Sequence, residues 1–234
     1  MITPINLKPK TLQRKSRIRL LSLLLSLEET LPPLTAVFGV VNGEISVSLS
    51  IGPSTAQSVV IVGDEAHSPQ PLLRTMLTSL ALTNTPRVMR LALVNLGTSV
   101  RCCAQLPHLW NGRAASPQRA QKLLDLVLLE IERRHLVQRP HPALFVVLDD
   151  LLKCTQSRVS KILQCGPGVG IYVLAATTSP ARAQALDFGV TIDVTNQVED
   201  ETGFESAWIA STHVKQIAGM LRTGGQVDRQ PAFN

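Results

Sequence analysis

Five short aliphatic runs, each parted from the next by a stretch able to form a helix, set the tightest bound on how this chain can fold. They are Ser58–Val62, Arg90–Asn95, Leu144–Leu148, Ile171–Ala176 and Val190–Val194. Aliphatic runs of this length read as strands of a buried sheet. Strands that alternate with helices build a mostly parallel sheet with helices packed on either side. The intervening segments supply those helices. One is expected from about Pro69 to Leu82, with Ser68 as N-cap and Pro69 in the first turn. A long one starts at Ser116 and Pro117, the same pairing of a good cap with a residue suited to the first turn. Another is expected near Thr155–Leu163. Aromatic residues make up only 3% of the chain, so Leu, Val, Ile and Ala must fill the core. A chain of 234 residues can bury such a core without staples. The cysteines, Cys102, Cys103, Cys154 and Cys165, show no metal or redox spacing and are expected to be reduced thiols in the cytoplasm.

Upstream the pattern is different. Residues 11–30 read as a helix, basic at first and then Leu-rich, that stops before Pro32 and Pro33. A β-hairpin comes next: Val37–Val41, the turn Asn42-Gly43, then alternating Ile45, Val47 and Leu49. The expected division is an N-terminal arm, 1–31, and an α/β domain, 32–234. The excess of positive charge gathers in the arm, where Lys8, Lys10, Arg14, Lys15, Arg17 and Arg19 all precede the first acid, Glu28, against a net charge of +6 for the chain. The other 17 basic residues equal the 17 acids in number. Such an arm suits the phosphates of nucleic acid or an anionic membrane surface. No signal peptide is evident, and the Leu-rich run Leu20–Leu27 is too short to span a bilayer.

In a parallel α/β sheet, chemistry gathers at the C-terminal ends of the strands. The first aliphatic run ends in Gly63-Asp-Glu-Ala-His-Ser-Pro-Gln70, the third in Asp149-Asp150 and the fourth in Ala175-Ala-Thr-Thr-Ser-Pro180. This trio resembles the phosphate loop, acidic pair and sensor strand of a P-loop ATPase. The particulars are similar to the FtsK/SpoIIIE DNA-translocase family. Residues Gly39–Leu49 resemble the segment before that family's phosphate loop, and Leu106-Pro-His-Leu109 its Pro-His-Leu element. Glu130-Ile-Glu-Arg-Arg134 resembles its Glu-Met-Glu-Arg-Arg helix, and Phe145-Val-Val-Leu-Asp-Asp150 its acidic strand. Gly170-Ile-Tyr-Val-Leu-Ala-Ala-Thr177 resembles its sensor strand and Ile217–Val227 its closing turn. The likeness runs in order over residues 36–228. It implies a RecA-like P-loop fold, preceded here by the hairpin and basic helix.

The likeness fails where nucleotide would bind. A working loop, Gly-x-x-x-x-Gly-Lys-Ser/Thr, closes backbone N–H groups on the phosphates, reaches them with Lys and holds magnesium with the hydroxyl. Gly63 keeps the first glycine. Ser68 replaces the second, Pro69 the Lys and Gln70 the Ser/Thr, and Asp64 and Glu65 add negative charge. Pro69 lacks both the cation and a backbone donor. Asn95 and Gly97 stand where the resemblance places an acid and a Lys, Gly166-Pro167-Gly168 replaces an arginine-bearing turn, and Thr178-Ser179 replaces a Gln-Arg. Asp149 and Asp150 remain, either as a vestige of the metal-holding pair or as an acidic strand end that caps the next helix. His67, His108, His135, His141 and His213 form no metal spacing, and the glycines of 166–170 read as a turn before a strand.

The expectation is a non-catalytic structural or regulatory domain of this group, with no cofactor and no metal. Its partners would be double-stranded DNA, an active motor subunit or a second copy of itself. Two readings stay open beside it. One is an active translocase using ATP and magnesium through an unorthodox loop. The other is a DNA- or membrane-docking module in which the arm dominates.

Overall fold

A computed structural model describes residues 18–27, 30–41, 45–94, 97–137, 139–195 and 204–223. The arm cations Lys8, Lys10, Arg14, Lys15 and Arg17, the Asn42-Gly43 turn, Asn95 and the end of the closing turn lie outside them. The expected strand runs all form strands. They are β3 (Ser58–Val62), β4 (Met89–Val94), β6 (Ala143–Leu148), β7 (Ile171–Thr177) and β8 (Val190–Asp193), joined by β5 (Leu109–Ala114) in one six-stranded sheet of order β5-β4-β6-β7-β3-β8. All its pairings are parallel, which makes this the RecA-like α/β architecture expected from the sequence.

Period-two alternation divides the core between the two faces of this sheet. Val59, Ile61, Leu91, Leu93, Phe145, Val147, Tyr172 and Leu174 point to one side, where α1 (Leu20–Leu25), α2 (Gln70–Thr83) and α6 (Ser211–Arg222) pack. Val60, Val62, Ala92, Val94, Leu144, Val146, Ile171 and Val173 point to the other, under α3 (Pro117–Leu136), α4 (Gln156–Cys165) and α5 (Pro180–Gln184). Phe145 and Tyr172 stand opposite each other in register, their rings 5.7 Å apart.

The hairpin forms as expected, from β1 (Thr35–Val41) and β2 (Ile45–Ser50) with Val41 opposite Ile45. β9 (Phe204–Ser206) adds a third antiparallel strand on the far side of β1. Nothing in the residue pattern announces β9, which is only three residues long. β5 is a further addition. Asn111-Gly112 looks like a turn, yet the two residues, with φ of 52° and 80°, form a bulge inside an edge strand.

Three local expectations need correction. α2 begins at Gln70, its N-cap is Pro69, and Pro71 takes the first-turn position; the Ser68 hydroxyl instead donates to the Gln70 side chain. The helical part of the leucine-rich segment ends at Leu25, where the Ser26 hydroxyl turns back to the Leu23 carbonyl. Arg19 is not helical: it is extended and bridges to Trp208, with Leu20 N–H donating to the Trp208 carbonyl. Leu20, Leu23 and Leu24 are buried in the same core as β1 and α2. The cap at Ser116 holds, its hydroxyl accepting from Arg119 N–H at 3.4 Å. Among the described residues no helix is long and apolar enough to cross a membrane.

Candidate functional site

Because every strand of the large sheet is parallel, their C-terminal ends share one edge, and that edge gathers Gly63, Ser68, Pro69, Gln70, Asp149 and Asp150. The loop leaving β3 folds back on itself. Gly63 N–H donates to the Thr177 carbonyl at the end of β7 (3.0 Å), and Asp64 N–H donates to the His67 carbonyl (3.1 Å). Closing so short a loop forces a close approach. A Cβ on Gly63 would lie 2.2 Å from the His67 carbonyl oxygen and 2.8 Å from Pro69 Cδ, so glycine is required here by space.

One backbone donor inside this loop is taken by its own side chain. The Asp64 carboxylate accepts the His67 backbone N–H at 2.5 Å and lies 3.2 Å from His67 Nδ1. These bonds, the His67 backbone bond foremost, hold the Asp64 carboxyl below its ordinary range, so it is an anion at neutral pH. In a phosphate loop the equivalent backbone donors face the ligand. Here the His67 N–H is taken instead by the Asp64 carboxylate of the same loop.

Gln70 has a similar structural employment. Its Oε1 accepts from the Ser68 hydroxyl at 2.5 Å and its Nε2 donates to the Asp149 carbonyl at 3.2 Å, which ties the start of α2 to the end of β6. Asp149 is buried, 1% exposed, and its Oδ2 accepts the Gly97 backbone N–H at 2.8 Å. A Cβ on Gly97 would come within 3.0 Å of that oxygen, so the glycine is matched to the carboxylate. Asp150 acts as a cap. Its Oδ1 accepts Leu152 N–H (3.1 Å) at the head of the 3-10 turn Leu151–Lys153, and its Oδ2 pairs with Lys153 Nζ (2.8 Å). The two acids also act on Cys154. Burial and then these carboxylates push its thiol up to about 12.

One cation at this edge has no counterpart in the sequence pattern. Arg182, in the first turn of α5, donates from Nη2 to the Cys154 carbonyl (2.9 Å) and from Nη1 to Gln156 Oε1. It sits three residues beyond Ser179, whose hydroxyl caps that helix. Its spacing differs from the family pattern, so only the fold reveals its position. Arg19, the one described cation of the arm, is not at this edge. It borders a cleft of about 230 Å³ lined also by Leu20, Trp208, Ile209 and His213. That volume is below the usual range for small-molecule sites, about 300–1,000 Å³.

No family model matches the chain, and no curated protein matches it. Solved structures share its fold. The cytoplasmic domain of the type VII secretion ATPase EccC of Thermomonospora curvata superposes with a TM-score of 0.70 at 16% identity, over 88% of this chain and 34% of that one. EssC (ATPases 2 and 3) of Geobacillus thermodenitrificans does so with 0.64 at 13%, over 95% and 53%. The pCW3 conjugation coupling protein TcpA, solved with ATPγS, does so with 0.61 at 10%, over 83% and 71%. These are FtsK/SpoIIIE-type ATPases, and their likeness to this chain is one of fold. The chain spans about a third of the EccC structure and about half of the EssC structure.

Proposed function

We propose that this chain is a non-catalytic domain of the FtsK/SpoIIIE motor group. On this reading it is a cytoplasmic structural or regulatory subunit that has given up nucleotide binding and acts by assembling with itself or with an active motor subunit. Duplex DNA, where it is engaged, is reached by the basic arm. One observation carries the proposal: the loop after β3 is closed by its own Asp64 carboxylate on the His67 N–H, with Pro69 and Gln70 in the positions of the cation and the magnesium ligand.

Magnesium nucleotide does not fit these residues. Phosphoryl transfer depends on neutralising phosphate charge and positioning it. Here the loop offers an anion, Pro69 has no N–H to give, and the Gln70 amide is bonded to Ser68 and to the Asp149 carbonyl. Asp150 is spent on Leu152 N–H and Lys153. Asp149 alone keeps the position of a metal-holding acid.

Titration calorimetry with magnesium-ATP tests the reading. The expected result is no binding heat at physiological nucleotide concentration. A micromolar dissociation constant that disappears in Asp149→Ala would overturn it and favour an active translocase. Light scattering tests assembly, with the protein alone and mixed with a motor encoded beside it. A monomer in both samples at tens of micromolar or so removes the assembly half of the proposal.

A further inference from the structure

Where the described chain begins, apolar side chains and cations share one surface. α1 is apolar almost all round, with Ser22 the single polar residue of its six. Its helical repeat turns Leu20, Leu23 and Leu24 into the core and leaves Leu21 and Leu25 outside, 40% and 71% exposed. A helix at a protein surface ordinarily turns polar residues outward. Leu21 also lines the cleft of about 230 Å³, together with Arg19, Trp208 and His213. Leu25 stands one turn along α1 on the same side. The half-buried Trp208 holds the chain on both sides of Arg19: its N–H donates to the Ile18 carbonyl (2.8 Å), and its carbonyl accepts from Leu20 N–H (3.1 Å). Residues 1–17 therefore join the domain beside Leu21 and Trp208.

The charge at this surface is mainly positive. Five cations lie within residues 1–17 and Arg19 makes the sixth, with no acid before Glu28 and Glu29. α6, which brings His213 to the cleft, adds Lys215 and Arg222 and holds no acid. Among the described residues of α1, α6 and the segment 205–210, Glu205 is the single carboxylate. We propose that this surface docks the chain on an anionic lipid bilayer, with the cations meeting headgroup phosphates and Leu21, Leu25 and Trp208 entering the interface beneath them. The cations by themselves suit any polyanion, and the apolar groups decide which. Duplex DNA offers its phosphate backbone and leaves exposed leucines in water. A bilayer takes both the charge and the leucines, and indole rings gather at its interface. Stable attachment without a spanning helix takes two such signals together. α1, with six residues, can lie in the interface and is too short to cross it. Docking of this kind is independent of what the loop after β3 binds.

Sedimentation of the full chain with vesicles tests this, using phosphatidylcholine alone and equal parts of phosphatidylcholine and phosphatidylserine. Three variants accompany the wild type: deletion of residues 1–17, Leu21→Ser combined with Leu25→Ser, and Trp110→Phe, which leaves Trp208 as the one indole. The expected result is binding to the mixed vesicles and none to phosphatidylcholine. Each cation near an anionic surface contributes roughly fivefold, so the deletion should weaken partitioning by about a hundredfold or more. The paired serine variant should weaken it by about tenfold, through lost apolar contact with the interface. In Trp110→Phe the Trp208 emission should shift to the blue on the mixed vesicles. No sedimentation with the mixed vesicles overturns the proposal, and duplex DNA binding by that same preparation would assign the arm to nucleic acid instead. Full binding by the serine variant, with an unmoved Trp208 emission, would overturn the apolar contact and leave charge alone.

Discussion

Glu130, in the last turns of α3, offers a quantitative test of how the helices on one face of the sheet are locked. Its carboxylate accepts from Arg133 Nε and Nη2 at 2.7 and 2.8 Å, and from Arg134 Nε at 2.8 Å. Arg134 continues the chain of bonds, donating from Nη1 to the Val169 and Gly170 carbonyls at 3.0 and 3.3 Å, which fixes the turn that leads into β7. Bonds from Arg133 first and Arg134 next hold the Glu130 carboxyl down at about 2, against an ordinary 4.5. At 1.36 kcal/mol per pKa unit this corresponds to about 3 kcal/mol. Arg133 is half exposed, so its share is screened by water, whereas Arg134 is 5% exposed and Glu130 12%. Glu130→Gln should therefore destabilise the protein by about 2 kcal/mol at pH 7, measured by urea unfolding. Because the folded pKa lies below the unfolded one, this stability is present above about pH 4.5 and is lost as pH falls toward 2. The gap between wild type and Glu130→Gln should hold steady from pH 7 to about 5 and narrow by about pH 3. A gap under about 0.5 kcal/mol at pH 7, or one of constant size down to pH 3, would refute the reasoning.

Gly63→Ala should cost at least about 2 kcal/mol in the same assay, since the new Cβ meets the His67 carbonyl at 2.2 Å; an unchanged midpoint would mean the loop is open in solution. Rebuilding the phosphate loop by Ser68→Gly, Pro69→Lys and Gln70→Thr should leave a fluorescent ATP analogue weakly bound. Adding Asp64→Gly should tighten it by about tenfold or more, because the carboxylate still holds the His67 N–H and adds its charge in the triple variant; equal affinity in the two variants would dismiss that role for Asp64. Duplex DNA binding, where detected, should fall steeply with salt and vanish on deletion of residues 1–17. That deletion removes Lys8, Lys10, Arg14, Lys15 and Arg17, and each phosphate that such a cation neutralises releases counterions. A truncated chain that binds as well as the full one would place the contact elsewhere.

The centre of the large sheet was legible in the sequence because β3, β6 and β7 are buried on both faces. Val59 through Val62, or Leu144 through Leu148, must be apolar without a break, and such runs survive as a pattern when little else does. β5 and β9 lie at sheet edges, where one side of the strand faces solvent or another loop, and their residues are free to look like turns. The strand ends at Gly63 and Asp149 were placed by the same logic, since a parallel sheet brings them together whatever the loops contain. Their bonding partners were not readable. That Asp64 turns inward onto His67, that Gln70 reaches the Asp149 carbonyl and that Arg182 arrives from α5 are all consequences of loop geometry. Arg74 likewise bonds the Ser99 carbonyl and the Ser211 hydroxyl, 25 and 137 residues away, separations that no local motif records.

The segments that resemble active motors each have a structural task in this chain. His108 of the Pro-His-Leu element is buried and neutral, held down by burial, with Nε2 donating to the Asn84 carbonyl at 2.8 Å. Glu130, Arg133 and Arg134 form the lock between α3 and β7. Asp149 anchors the Gly97 turn. Each of these bonds would be needed whether or not nucleotide is turned over, so their presence reports on the scaffold. The loop after β3 is the discriminating part, because its work in a motor is to leave backbone donors open for phosphate, and a carboxylate that takes the His67 N–H stabilises the closed loop at the expense of that work. On the proposed reading, a domain altered in this way keeps the core that supports the fold and the outer faces that a neighbouring subunit would meet, and gives up only the loop on which nucleotide binding depends. Calorimetry and light scattering therefore test the two halves of the proposal, lost nucleotide binding and assembly, independently.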